Sequence, residues 1–160
     1  MTETVRLSPW QVIRTRLHLF VVALRKRLTV GVRAVVLDGA KVLLIRHTYV
    51  PGWQFPGGGV EPFETAELAA AREALEETGI AVSGRPRLHG LYLNRVAGGG
   101  RDHVAVYVWR GFTVERVFKA NLEIAECAWF DVDALPPDVE SGTVRRLAEI
   151  VVGEVQSAEW

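Results

Sequence analysis

Three glutamates close together near the end of one helix-forming run, Glu73, Glu76 and Glu77, are the residues in this chain best suited by type and spacing to do chemistry. Residues three and four apart share a helix face, so the three carboxylates are expected to converge. Like charges so placed repel unless a cation sits between them, and hard carboxylate oxygens suit Mg²⁺, with Mn²⁺ as the alternative. Mg²⁺ commonly bridges protein carboxylates and substrate phosphates, so a phosphate compound is the expected substrate. Arg72, four residues before Glu76, is placed to pair with a glutamate and fix its orientation. The plain structural reading is a solvated, charged helix face.

The elements that must position these residues are legible around them. Thr65 reads as an N-cap, Ala66 to Thr78 as helix and Gly79 as its left-handed terminator. Before it runs a loop from Tyr49 to Gly59, in which Trp53-Gln54-Phe55 is stopped by Pro56 and three glycines. Thr29 to Leu37 and Lys41 to His47 read as strands joined at Asp38-Gly39, a hairpin. Arg87 to Leu93, Val104 to Trp109 and Cys127 to Phe130 read as further strands, the first two joined through Gly98-Gly99-Gly100. Thr143 to Val155 closes as a helix. Ser8-Pro9-Trp10-Gln11 opens another, from about Pro9 to Arg27, with an apolar stripe of Trp10, Ile13, Leu17, Phe20, Val21, Leu24 and Leu28. The class is α/β, with residues 1–28 as a basic amphipathic helix and 29–160 as one domain.

Composition supports one ordinary domain: 160 residues, 49% hydrophobic and 24% charged. Nineteen basic residues balance nineteen acidic ones, so no overall basic field points to specific nucleic-acid binding. The basic residues before residue 38 could meet anionic lipid, but packing of the apolar stripe on the domain or on a second copy, a homodimer, is the expected use. Cys127 is the single cysteine, which fits a reducing cytoplasm and permits no intramolecular disulfide. The uncharged run Leu17 to Leu24 is too short to span a bilayer, and Arg25-Lys26-Arg27 stands where a signal cleavage site would fall.

Other residues invite assignment. Arg46, ending a strand beside the glycine loop, could clamp a phosphate. Tyr49 and Trp53 could stack on a base, with core the expected place for Trp53. His103 reads as a strand residue, and Cys127 as buried and inert. Neither a Gly-x-Ser-x-Gly elbow nor a Cys and His cluster occurs.

From Gly58 to Ile80 the chain resembles the Nudix hydrolase signature at every fixed position: Gly58, five residues, Glu64, seven residues, Arg72-Glu73, two residues, Glu76-Glu77, one residue, Gly79 and an aliphatic. Ala74 is a mild departure. WQFPGG before the signature and WF followed by LPP after it extend the resemblance to about residues 29–155. The resemblance implies an α/β/α sandwich around a mixed sheet and Mg²⁺-dependent hydrolysis of nucleoside diphosphates linked to another moiety. It implies metal binding by Glu73, Glu76 and Glu77 with a carbonyl at Gly57 or Gly58. Arg72 and Glu64 would support the site, and Glu73 would act as base. Glu123, six residues ahead of Trp129, is the further metal carboxylate implied, with Glu126 as its rival. A nucleotide-binding sensor of the same fold without turnover is the alternative. The proline of many ADP-ribose hydrolases is absent, Val96 standing there, so the nucleotide stays open.

Overall fold

The computed structural model describes residues 29–95, 102–153 and 157–160. The expected helix over 9–27 and the glycine connection at 98–100 lie outside the described residues. Strand β1 spans Thr29–Asp38, β2 Lys41–His47 and β3 Trp53–Gln54. Helix α1 spans Ala66–Thr78, followed by β4 at Ile80–Ser83, β5 at Arg87–Asn94, β6 at Asp102–Trp109 and β7 at Gly111–Val114. Strand β8 covers Ile124–Asp131 and helix α2 Ser141–Val151.

The main sheet runs β3-β2-β1-β6-β5, with β8 also on β2, and is mixed: β1 and β6 are parallel while the other pairs are antiparallel. The expected hairpin forms at its turn alone. Only Leu37↔Val42 and Asp38↔Lys41 pair, after which β1 follows β6 and β2 follows β8. Local sequence shows where a chain turns and brings β3 back onto the end of β2, but the long partners β6 and β8 lie about 70 or more residues away, beyond its reach. Into the gap beside β1 slides the glycine loop, with Val32 N–H donating to the Gly58 carbonyl at 2.8 Å, Ala34 N–H to Pro56 at 2.8 Å and Val60 N–H to Val30 at 3.1 Å.

Alternation along the strands builds a core on each face. Val32 and Ala34 of β1 and Ala105 and Trp109 of β6 meet Ala69, Ala70 and Ala74 of α1. Those alanines let the helix lie close to the sheet. On the other face Val35, Leu37, Val42, Leu44, Val104 and Val106 meet Trp53, Phe55 and Leu147 of α2. A helix on each face of a mixed sheet is the α/β/α sandwich expected. Strands β4 and β7 form a separate antiparallel pair; at four residues each they are too short to show a periodicity in the sequence. Helix α2 is shorter than expected, ending at Val151 with Val152 as its cap before Gly153 at φ 79°.

Candidate active site

Helix α1 is capped as expected, Thr65 Oγ1 accepting the Leu68 N–H at 3.2 Å and Gly79 standing at φ 77°. Its glutamates divide rather than converge. Arg72 is the cation between Glu73 and Glu76, donating to them at 2.9 and 3.1 Å. It also grips Glu64 through Nε at 2.9 Å and Nη2 at 3.1 Å, and the Gly59 carbonyl at 3.2 Å. Helix, turn and glycine loop are thereby tied through one guanidinium. Glu76 keeps 58% of its side chain exposed, because the residue beside Glu77 lies about 100° round the helix from it.

Glu77 turns inward, with 7% of its side chain exposed, and its Oε2 accepts the Gly57 N–H at 2.8 Å. Burial pushes its carboxyl up to about 8, the Gly57 amide opposing this and Glu73 adding to it. Glycine is required at position 57, where backbone closes in, and at position 58 it leaves room for the Glu73 carboxylate. A Cβ on Gly57 would overlap the Val32 carbonyl, and one on Gly58 would overlap the Glu73 carboxylate. Glu73 is raised by burial, with Arg72 working against the shift.

Opposite Glu77 stand His47, at the end of β2, and Glu123, in the loop before β8. One ligand atom from each lies within 4.8 Å of the others. The loop is pinned there, since Asn121 Oδ1 accepts the N–H of Glu123 and Ile124, each at 2.8 Å, and the Glu123 carbonyl accepts Thr48 N–H at 2.9 Å. Tyr49, 66% exposed, reaches Glu123 through its hydroxyl at 3.3 Å. Glu126 points elsewhere, to Arg46 at 3.0 Å.

A cleft of about 470 Å³ opens over these groups, lined among others by Arg33, His47, Tyr49, Gly58, Glu73 and Glu123. Arg46 is not brought to it. Its guanidinium bonds Glu126 at 3.0 Å and Asp138 at 2.6 Å and stacks 4.8 Å from the Trp53 ring. The expected phosphate clamp thus lies on the far face, because neighbours on a strand point to opposite sides. That alternation delivers His47 to the cleft in its place. Trp53 is core, 5% exposed and edge-on to Phe130. His103 sits in β6 as a strand residue. Cys127 is half-buried, and its thiol is pushed up to about 12 by burial and by Glu77.

Sequence reasoning missed Arg33 and His47. Arg33 interrupts the apolar run of β1, and its Nε is shut from solvent without a hydrogen-bond partner. Burial lowers its pKa, while Glu77, Glu140, Glu73 and Asp102 hold it up. A charge inside an apolar strand was the available signal for Arg33. For His47 the signal was strand parity, two residues past the buried Ile45.

The clustered donors suit a divalent cation: hard oxygens from Glu77 and Glu123 beside the His47 imidazole, Glu77 being buried with an amide partner at Gly57. When the chain is compared with known proteins, the NUDIX domain model matches residues 27–149. The chain belongs to the Nudix family. It is 39% identical over 100 residues to a putative mutator protein, MutT4, of Mycobacterium tuberculosis, covering 61% of this chain and 40% of that one. It is 40% identical over 83 residues to a putative 8-oxo-dGTP diphosphatase of Bacillus subtilis, covering 44% of this chain and 56% of that one. The chain thus spans about half the length of these curated relatives. A MutT Nudix hydrolase from Burkholderia pseudomallei superposes with a TM-score of 0.68 at 30% identity, covering 77% of this chain and 98% of that one.

Proposed function

We propose that this chain is a nucleotide pyrophosphohydrolase, cleaving a diphosphate bond in a nucleoside diphosphate linked to another moiety with Mg²⁺, or Mn²⁺ in its place. The observation that carries the reading is Glu77: a buried carboxylate, fixed by the Gly57 amide and within 4.8 Å of ligand atoms of His47 and Glu123, beside a cleft that Gly57, Glu73 and Glu123 line. Such crowding of acids is stable and useful chiefly where a cation and phosphates enter. When bound, a divalent cation helps ionise the attacking water and neutralises charge building on the phosphate oxygens.

Glu77, Glu73 and Glu123 would hold the cation, with the Gly58 carbonyl beside them already accepting the Val32 amide. Arg72 fixes Glu73 and the loop, so it positions rather than reacts. Arg33, the cation lining the cleft, would meet phosphate oxygens. Glu73, its carboxyl raised by burial, would take the proton of the attacking water; the new P–O bond forms as the bridging P–O bond breaks and its electron pair leaves with the departing phosphate. Tyr49 flanks the cleft as a stacking face for the base. Relatives named as a putative 8-oxo-dGTP diphosphatase and as an RNA pyrophosphohydrolase direct the substrate panel. A nucleotide substrate and a single cysteine fit a cytoplasmic setting.

The test is phosphate release, coupled to a phosphatase, from 8-oxo-dGTP, ordinary nucleoside triphosphates, ADP-ribose, a nucleotide sugar and 5′-triphosphorylated RNA. Turnover with Mg²⁺ that stops in EDTA is the expected result. Tight nucleotide binding without turnover on any member would replace the enzyme with the sensor reading.

A further inference from the structure

We propose that His47 supplies an imidazole nitrogen to the divalent cation, so that this chain's metal site is a mixed nitrogen and oxygen set rather than carboxylates alone. The proposal rests on the cation reading above and adds to it a ligand from outside the signature.

The observations are geometric. His47 Nε2 stands 3.9 Å from Glu77 Oε1, and the two side chains keep only 9% and 7% of their surface exposed. Glu123 completes a group in which every pair of ligand atoms lies within 4.8 Å. Donors about 2.1 Å from one octahedral cation stand about 3 Å apart when adjacent, so a cation would draw the His47–Glu77 pair together by roughly 1 Å, a shift within the reach of side-chain adjustment. The ring is held by its surroundings: Tyr49 packs 5.1 Å away, centroid to centroid, and Thr48 next in sequence is bonded to the Glu123 loop through both its amide and its hydroxyl. His47 Nδ1 is shut from solvent with no hydrogen-bond partner. A buried imidazole aimed at a buried carboxylate from beyond hydrogen-bond distance is the arrangement that a bridging cation would close.

An imidazole ligand has a chemical consequence. Nitrogen favours Mn²⁺, Co²⁺ and Zn²⁺ over Mg²⁺, whose preference is for oxygen. The site should therefore discriminate among cations more strongly than an all-oxygen site.

Mn²⁺ is the probe, because its paramagnetism reports bound nitrogen independently of turnover. Titration of the full chain followed by the free Mn²⁺ resonance measures binding, and electron spin-echo envelope modulation of the bound ion reads coupling to ¹⁴N. The expected result is Mn²⁺ binding with ¹⁴N coupling that converts to ¹⁵N on labelling the histidines. In His47→Gln the coupling should vanish and Mn²⁺ affinity fall about 10-fold, with a smaller loss for Mg²⁺ in competition. Mn²⁺ bound without nitrogen coupling would overturn the role of His47 and leave the carboxylate site standing. Coupling that persists in His47→Gln would also overturn it. Absence of Mn²⁺ binding altogether would remove the cation reading and this proposal with it. Circular dichroism of His47→Gln separates a lost ligand from a lost fold.

Discussion

At the scale of single residues, the cost of Glu77 is the clearest quantity in the site. Its carboxyl is raised to about 8 by burial, so in metal-free protein it opposes folding once ionised. The penalty is absent below the ordinary value of 4.5 and grows as pH rises from there towards 8. Glu77→Gln keeps an oxygen for the Gly57 amide and removes the charge. In EDTA at pH 8 the variant should melt several degrees above the parent, and the difference should vanish below pH ~4.5; calorimetry across pH checks both. With Mg²⁺ the same change should lower kcat at least ~10²-fold. A second contrast separates two acids of one loop and strand. Glu123→Gln should raise the Mg²⁺ concentration needed for half activity, whereas Glu126→Gln, whose carboxylate meets Arg46, should not; activity titrated against Mg²⁺ reads both.

At the scale of elements, the turn entering α1 carries strain that the fold tolerates. Phe63 stands at φ 67° and is fully exposed, a combination that costs about 1–2 kcal/mol for a residue with a Cβ. Glu64, held by Arg72 and by the Glu61 amide at 3.0 Å, over-determines the turn. Phe63→Gly should raise the melting temperature by a few degrees, offset in part by glycine's greater freedom in the unfolded chain, and thermal melts decide the sign. On the opposite face, α2 buries Glu149 against Arg146 at 2.7 Å, His89 at 3.0 Å, the Tyr92 hydroxyl at 3.3 Å and the Ser157 amide at 3.0 Å. Burial alone would raise its pKa, but Ser157, His89, Arg146 and Tyr92 together outweigh it and hold the carboxyl low. Its contribution is thus complete above the ordinary carboxylate value and is lost as pH falls through the depressed one. Glu149→Gln should lose about 3–5 kcal/mol at pH 7, leaving Arg146 buried and unpaired, and its stability should fall less steeply with acid than the parent's in denaturant titrations.

At the scale of the whole molecule, the described end of the chain is part of the sheet. The Leu93 amide donates to Ala158 at 2.9 Å and the Trp160 amide to Leu93 at 2.9 Å, which lays residues 157–160 along β5. Trp160 covers Tyr92 edge-on and receives Arg146 and Arg33 above its ring, each 5.9 Å from its centroid. Arg146, with none of its side chain exposed, also donates to the Glu159 carbonyl at 2.8 Å. Removing residues 157–160 uncovers that pair and one neighbour of the Arg33 in the cleft. The truncated chain should melt lower and show weaker nucleotide binding while retaining turnover at saturating substrate; melting curves and KM against kcat test this.

Helix α1, its cap and its terminator were readable from sequence to the residue, since alanine propensity, Thr65 and Gly79 act within a few positions of one another. The family followed from the same short stretch, and with it a sandwich of helices on a mixed sheet. What the sequence could not assign was which side of a strand or helix a charge would serve. Arg46 and His47 are adjacent in the chain and opposite in the sheet, and Glu76 and Glu77 part in the same way on α1, one to Arg72 and water, the other to the buried amide of Gly57. Those outcomes depend on β2 pairing with β8 and on the glycine loop lying along β1, contacts made across long stretches of chain. Local chemistry determined which groups were available to bind a cation; tertiary pairing decided which of them face one another, because side-chain direction becomes meaningful only once the neighbouring strand is in place.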